Sequence, residues 1–197
     1  MDIHKISYCQ TSGFLLKNDR AKHDLINHIS NQLRFNPLNL YEKSYSDRLI
    51  NVLKTKDDIL ATYISYGKYV FLYLTKIYNE NVSLIIETDS NKDNLYPKVI
   101  SVPCSFHESM YNGTLIYGEI FRTKAKSWHF LAEKLFIVDG QRVNNNNDSN
   151  ISTLNTIIDG GYTYSPVNPF MIQVKKYCAL NDIEDSINEL SSNHIPV

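Results

Sequence analysis

An α+β fold built on a twisted antiparallel sheet is predicted by three features of this chain. Six runs between residues 59 and 138 are rich in β-branched and aromatic residues, and each is bounded by Gly, Asn, Asp, Pro or Lys. The connections between them are short. Parallel crossovers need a dozen or more residues, so neighbouring strands are expected to pair antiparallel. Segments with apolar residues at helical spacing lie before and after this β-rich stretch.

Taken in order, residues 18–35 read as a helix. Ala21, Leu25, Ile26, Ile29 and Leu33 form one apolar stripe, with Asn18 or Asp19 as N-cap, and Asn36-Pro37 ends it. This helix is expected to pack on the sheet or on a partner. A shorter helical pattern, 45–53, carries Leu49, Ile50 and Leu53 on one side. The strand candidates are 59–66, 68–78, 82–89, 98–106, 113–122 and 128–138, with Tyr78-Asn79-Glu80-Asn81 as a hairpin turn. The polar run Asn144-Asn145-Asn146-Asn147-Asp148-Ser149-Asn150 buries nothing and is expected to be an exposed connection. Residues 152–158 read as a helix capped by Ser152 and ended by Gly160-Gly161. A further strand is expected over 170–177 and a last helix over 181–190, with Ile183, Ile187 and Leu190 on one face. The organisation expected is an N-terminal helical segment, 1–58, packed on a β-rich domain, 59–197.

Composition narrows the functional classes. The chain has 197 residues, 43% hydrophobic and 21% charged, with a formal net charge of −1. That length supports a sizeable core, and the balanced charge argues against a polybasic protein that binds polyanions by bulk attraction. No run reaches the roughly 18 to 20 apolar residues needed to cross a bilayer. Residues 1–12 lack a basic patch followed by an apolar run, so a soluble cytoplasmic protein without membrane contact is expected. Cys9, Cys104 and Cys178 lie far apart and imply neither a disulfide framework nor a CxxC metal site. The Tyr, Asn, Ile and Lys bias is what an AT-rich genome produces.

The chemistry-bearing motifs are sparse. With only 7 glycines, the chain contains neither GxxxxGK[ST] nor GxGxxG. The histidines show no HxxxH or HExxH spacing, and GxSxG is absent, so no metal and no cofactor are expected. What remains is an order of short motifs. Gly67-Lys68 opens a long strand, and Tyr117-Gly118-Glu119 closes a second. A third strand runs from Trp128 into Ile137-Val138-Asp139-Gly140. Asn168-Pro169-Phe170 then leads into Met171-Ile172-Gln173-Val174-Lys175-Lys176-Tyr177.

Over residues 59–197 this succession resembles the nucleotidyltransferase domain of mRNA-capping guanylyltransferases and the related cap-binding domain of snurportin. It resembles even more the short capping-enzyme-like proteins of large DNA viruses. The resemblance implies a degenerate nucleotidyltransferase fold without the OB domain, in a viral protein of the host cytoplasm. Against the KxDG motif of the enzymes stands Ile64-Ser65-Tyr66-Gly67, with Ile64 in place of the nucleophilic lysine and Tyr66 in place of the aspartate. The strand ending in Gly-Glu is matched at Gly118-Glu119. FDxLxxxG is matched from Ala132 to Gly140, with Lys134 where the aspartate stands and Glu133 beside it. The DGLIF and double-lysine motifs find no match before Val197. A phosphoramidate needs an amine, which isoleucine lacks. Losing the late lysines and metal carboxylates as well should cost far more than one missing oxyanion donor, itself about 3 kcal/mol.

The resemblance therefore implies a pocket kept for binding: a non-catalytic binder of the mRNA 5′ cap or a guanine nucleotide, with a protein partner in RNA processing or translation. The ligand-binding candidates are Tyr66, Lys68, Glu119, Trp128 and Glu133. Trp128 reads as a stacking platform for methylguanine or as a packing tryptophan. Glu119 and, by similarity, Glu133 read as acceptors for guanine N1 and N2 or a ribose hydroxyl, or as strand-end carboxylates facing solvent. Lys68 pairs with a triphosphate or is an exposed strand lysine, and it is the one residue offered as a substitute nucleophile. Tyr66 and Tyr69 stack or pack, and Lys175-Lys176 reads as a solvated strand face. Two other functions are carried forward. One is an active guanylyltransferase, alone or completed by another subunit, and the other is a scaffold with a vestigial pocket.

Overall fold

Side-chain alternation in the longest strands builds the sheet from its centre outward. The computed structural model describes residues 3–39, 60–61, 67–87, 96–143 and 147–179. The strands of the main sheet are β1 (Ile3–Tyr8), β2 (Thr11–Leu16), β4 (Lys68–Ile77), β5 (Glu80–Glu87), β6 (Val99–Val102), β7 (Thr114–Arg122), β8 (Trp128–Val138), β9 (Gln141–Arg142) and β10 (Met171–Val174). They line up as β1-β2-β6-β5-β4-β7-β8-β10, with β9 on β8. A separate pair joins β3 (Leu60–Ala61) to β11 (Cys178–Ala179). Among the described residues the architecture is α+β, with a mostly antiparallel nine-stranded sheet and two α-helices, α1 (Asp19–Leu33) and α2 (Asn147–Gly161).

In β4, Val70, Leu72 and Leu74 point to one face and Phe71 and Tyr73 to the other, and all five are buried. A strand buried on both sides needs cover on both sides. α2 supplies one cover through Leu154, Ile157 and Ile158, packed with Phe130, Phe170 and Ile172. α1 supplies the other through Ile26, Ile29 and Leu33, packed with Phe71, Tyr73, Tyr117 and Phe136. Helix α1 starts at Asn18, whose Oδ1 accepts from the Ala21 amide at 2.9 Å, and stops at Arg34 in the left-handed region.

β4 and β5 are joined by Tyr78 and Asn79 alone, at φ 52° and 66°. Two positive φ values match a type I′ turn, whose twist suits a hairpin. Between β7 and β8 the register slips twice, leaving Glu133 and Phe136 as the extra residues on β8. Beyond the end of β10, the side-chain amide of Asn150 takes over as ladder partner of β8. Its Oδ1 accepts from the Leu135 amide at 2.9 Å and its Nδ2 donates to the Leu135 carbonyl at 2.7 Å.

Several expectations are corrected here. The N-terminal segment is not only helical: β1 and β2 belong to the main sheet, and β2 pairs with β6. β10 runs parallel to β8, because α2 carries the chain back over the sheet face between them. The polar run is not wholly an exposed connection. α2 begins at Asn147, before Ser152, and Asn150 is 3% exposed because it completes the hydrogen bonds of β8. Of the run 59–66, the described strand is Leu60–Ala61, which pairs outside the main sheet. The helices read over 45–53 and 181–190 lie outside the described residues.

Candidate functional site

Glu119 sits near the end of β7, paired with Tyr69 of β4 and Leu131 of β8, and is fully buried. It follows Tyr117 by two residues, so it shares the α1 face with Tyr69, Tyr117 and Phe71. Its Oε1 accepts from the Gly67 amide at 2.7 Å. That approach requires glycine: a Cβ on residue 67 would lie 2.6 Å from the Ile120 carbonyl oxygen and 2.7 Å from Glu119 Cγ. Among the described residues three buried side-chain atoms lack a hydrogen-bond partner: Gln32 Oε1, Thr114 Oγ1 and Glu119 Oε2. Only the last belongs to a carboxylate. A buried acceptor of that kind costs about 1 to 3 kcal/mol, more when charged, until a donor reaches it.

Aromatic and cationic groups adjoin it on the same face. The Tyr69 and Tyr117 rings stack at 5.4 Å with 14° between planes, and Phe71 lies 5.1 Å from Tyr117. Lys175, just past β10, is buried with its Nζ 5.7 Å from the Tyr69 ring centroid and 2.9 Å from Glu133 Oε2. The bulge in β8 leaves the Glu133 carbonyl without a β7 partner in register, and the Tyr177 hydroxyl donates to it at 3.2 Å. Burial, and then the Glu133 charge, hold that phenol well above the usual tyrosine range.

The predicted residues are thus divided between faces. Glu119 and Glu133 lie together on the α1 side. Lys68 precedes Val70 by two and faces the α2 side, where its Nζ donates to Glu87 Oε2 at 2.9 Å. Glu87, 6% exposed, is shared with Lys98 at 3.5 Å. Trp128 also packs on the α2 side, with the Arg122 guanidinium 5.8 Å from its ring centroid. Tyr66 and Ile64 lie outside the described residues. Lys175, Tyr117 and Tyr177 were not expected at a site. Lys175 follows a four-residue strand and reads as solvated until the β8–β10 pairing places it against Glu133.

Among the described residues no group of three His, Cys, Asp or Glu side chains could hold a metal ion, and no helix is long and apolar enough to cross a membrane. No family model matches the chain, and no curated protein matches it.

Proposed function

We propose that the protein binds a guanine nucleotide or the mRNA cap without reacting with it, and that Glu119 reads the base. The observation that carries this reading is the unpartnered Oε2 of a fully buried carboxylate whose other oxygen is fixed by a backbone amide. Guanine presents two adjacent N–H donors, N1 and N2, and adenine presents no such pair; a carboxylate oriented by Gly67 discriminates on that basis. The Tyr69–Tyr117 stack supplies an aromatic wall beside Glu119, the role first given to Trp128. Lys175, on the same face and paired with Glu133, places a positive charge beside the Tyr69 ring.

Binding is favoured over guanylyl transfer by the position of the amines. Lys68, the substitute nucleophile suggested by the sequence, is held by Glu87 on the face opposite Glu119. Lys175 is paired with Glu133. Calorimetric titration with 7-methyl-GTP, GTP and ATP tests the reading. Saturable heat with the two guanine ligands and none with ATP is the expected result. Absence of heat up to millimolar ligand would return the protein to the scaffold reading. A base-stable, acid-labile protein–GMP adduct formed with labelled GTP and magnesium would make it an enzyme.

A further inference from the structure

We infer that the β7–β8 hairpin is a docking site for single-stranded RNA, with Arg122, Lys124 and Lys126 on the phosphates and the Arg122–Trp128 pair as the surface on which a base stacks. From 122 to 129 the chain reads Arg-Thr-Lys-Ala-Lys-Ser-Trp-His: three permanent cations and the single tryptophan, with no carboxylate, in a protein of net charge −1. All three cations are exposed, and none has a carboxylate partner among the described residues. Lys22, Lys68, Lys76, Lys98 and Lys175 are each bridged to one, while Lys5, Lys17, Arg20 and Arg34, like the hairpin's three, have none among the described residues. Uncompensated charge concentrated on one turn is the electrostatic footprint of a polyanion site.

The turn is built to hold its shape. The Thr123 amide donates to the Ser127 carbonyl at 2.9 Å, the Lys126 amide to the Thr123 carbonyl at 2.9 Å, and the two hydroxyls meet at 2.7 Å. Lys126 takes φ 67°, and its carbonyl accepts from Arg122 Nε at 3.2 Å, which sets the guanidinium above Trp128. A ligand therefore meets ordered cations and loses less entropy in binding. Bases stack on guanidinium planes as well as on aromatic rings. A membrane surface fits less well. Ala125 is the largest apolar side chain exposed at the tip, since Trp128 is half-buried below it, so nothing there would insert into lipid.

Arg122 lies three residues beyond Glu119 on β7, about 10 Å along the strand, and alternation puts it with Trp128 on the α2 face, opposite Glu119. The turn is therefore a surface separate from that carboxylate, and its binding of RNA does not depend on the guanine reading.

Fluorescence anisotropy with a labelled uncapped oligouridine tests it on the full chain, wild type against an Arg122→Gln, Lys124→Gln, Lys126→Gln variant. Three phosphate contacts to a single strand predict about a 20-fold loss of affinity between 50 and 200 mM salt. The triple variant is expected to bind at least about 10-fold more weakly, with a nearly flat salt dependence, while its thermal midpoint and its affinity for 7-methyl-GTP stay unchanged. Quenching of Trp128 fluorescence by the RNA is the readout for stacking. Equal RNA affinity of variant and wild type overturns the inference. So does equal competition by polyglutamate, or binding to phosphatidylserine vesicles in place of RNA. RNA binding without any response to 7-methyl-GTP leaves the hairpin site standing and removes the guanine reading.

Discussion

The Gly67 amide and the Glu119 carboxylate hold each other in place. The strand start at residue 67 comes within hydrogen-bond reach of β7 because it has no side chain, and the carboxylate it approaches is locked by one oxygen with the other left over. Most buried side-chain polar atoms have a hydrogen-bond partner, and Glu119 Oε2 is an exception among the described residues.

Replacing Gly67 by alanine should break this contact by overpacking. The new methyl would meet the Ile120 carbonyl oxygen at 2.6 Å, and backbone does not yield as a flexible side chain does. A loss of about 1 to 3 kcal/mol in urea unfolding is expected, together with weaker guanine binding. Unchanged stability would mean that the strand start relaxes freely.

Glu119→Gln separates recognition from folding. Gln keeps the volume, and its carbonyl oxygen retains the Gly67 bond, but an NH2 replaces the second acceptor and faces the donors of guanine. Affinity for 7-methyl-GTP should fall by at least about 10-fold, corresponding to 1.4 kcal/mol, while the thermal midpoint holds or rises. A midpoint that falls with ligand affinity unaltered would make Glu119 a purely structural residue.

Asn150→Leu should cost more than its surface-loop sequence suggests. It strips both hydrogen bonds from Leu135 and leaves a buried amide and carbonyl unpaired, a loss of about 2 to 4 kcal/mol. At about 2 to 4 °C per kcal/mol for a chain of this size, differential scanning calorimetry should read a drop of several degrees.

Alkaline pH should destabilise the fold. Burial pushes the Cys104 thiol up to about 12, as it does Cys9, where the Glu87 charge adds to the effect. The thiol form is then favoured in the folded state. The thiols' contribution should be flat below about pH 8, where thiols of the unfolded chain are still protonated, and should decline between about 8 and 12 as that chain sheds its protons first. Urea midpoints across this range should show a shallower decline for Cys104→Ala. The same slope in both proteins would assign the effect to other groups.

Much of the sheet is legible in the chain because local rules act there without competition. Runs of β-branched and aromatic residues mark β4, β5, β7 and β8, and Asn18 marks the start of α1 by its capping chemistry. Strand β2 escapes because Gly13 interrupts it. Gly13 is there because Ile100 Cγ2 and the Ser101 carbonyl approach to within 2.9 and 3.1 Å of where its Cβ would be, a contact between residues 87 and 88 positions apart in the chain. Asn150 misleads for a similar reason. Within four asparagines, an aspartate and a serine it reads as solvent-loving, until Leu135 offers it an amide and a carbonyl.

For the candidate site, residue types were readable and their grouping was not. Gly67, Lys68, Glu119, Trp128 and Glu133 stand out in the chain, yet alternation divides them only once the register is known. Lys68 opposite Ile120 and Tyr69 opposite Glu119 settle which side each one faces. The sequence by itself determined the class of fold, the central strands and the first helix, since these follow from periodicity, capping and turn preference within a few residues. The tertiary structure alone decided the parallel β10, the two-sided cover and the pairing of Lys175 with Glu133. Those depend on contacts between residues far apart in the chain, where a slip of one position in register moves every side chain to the other face.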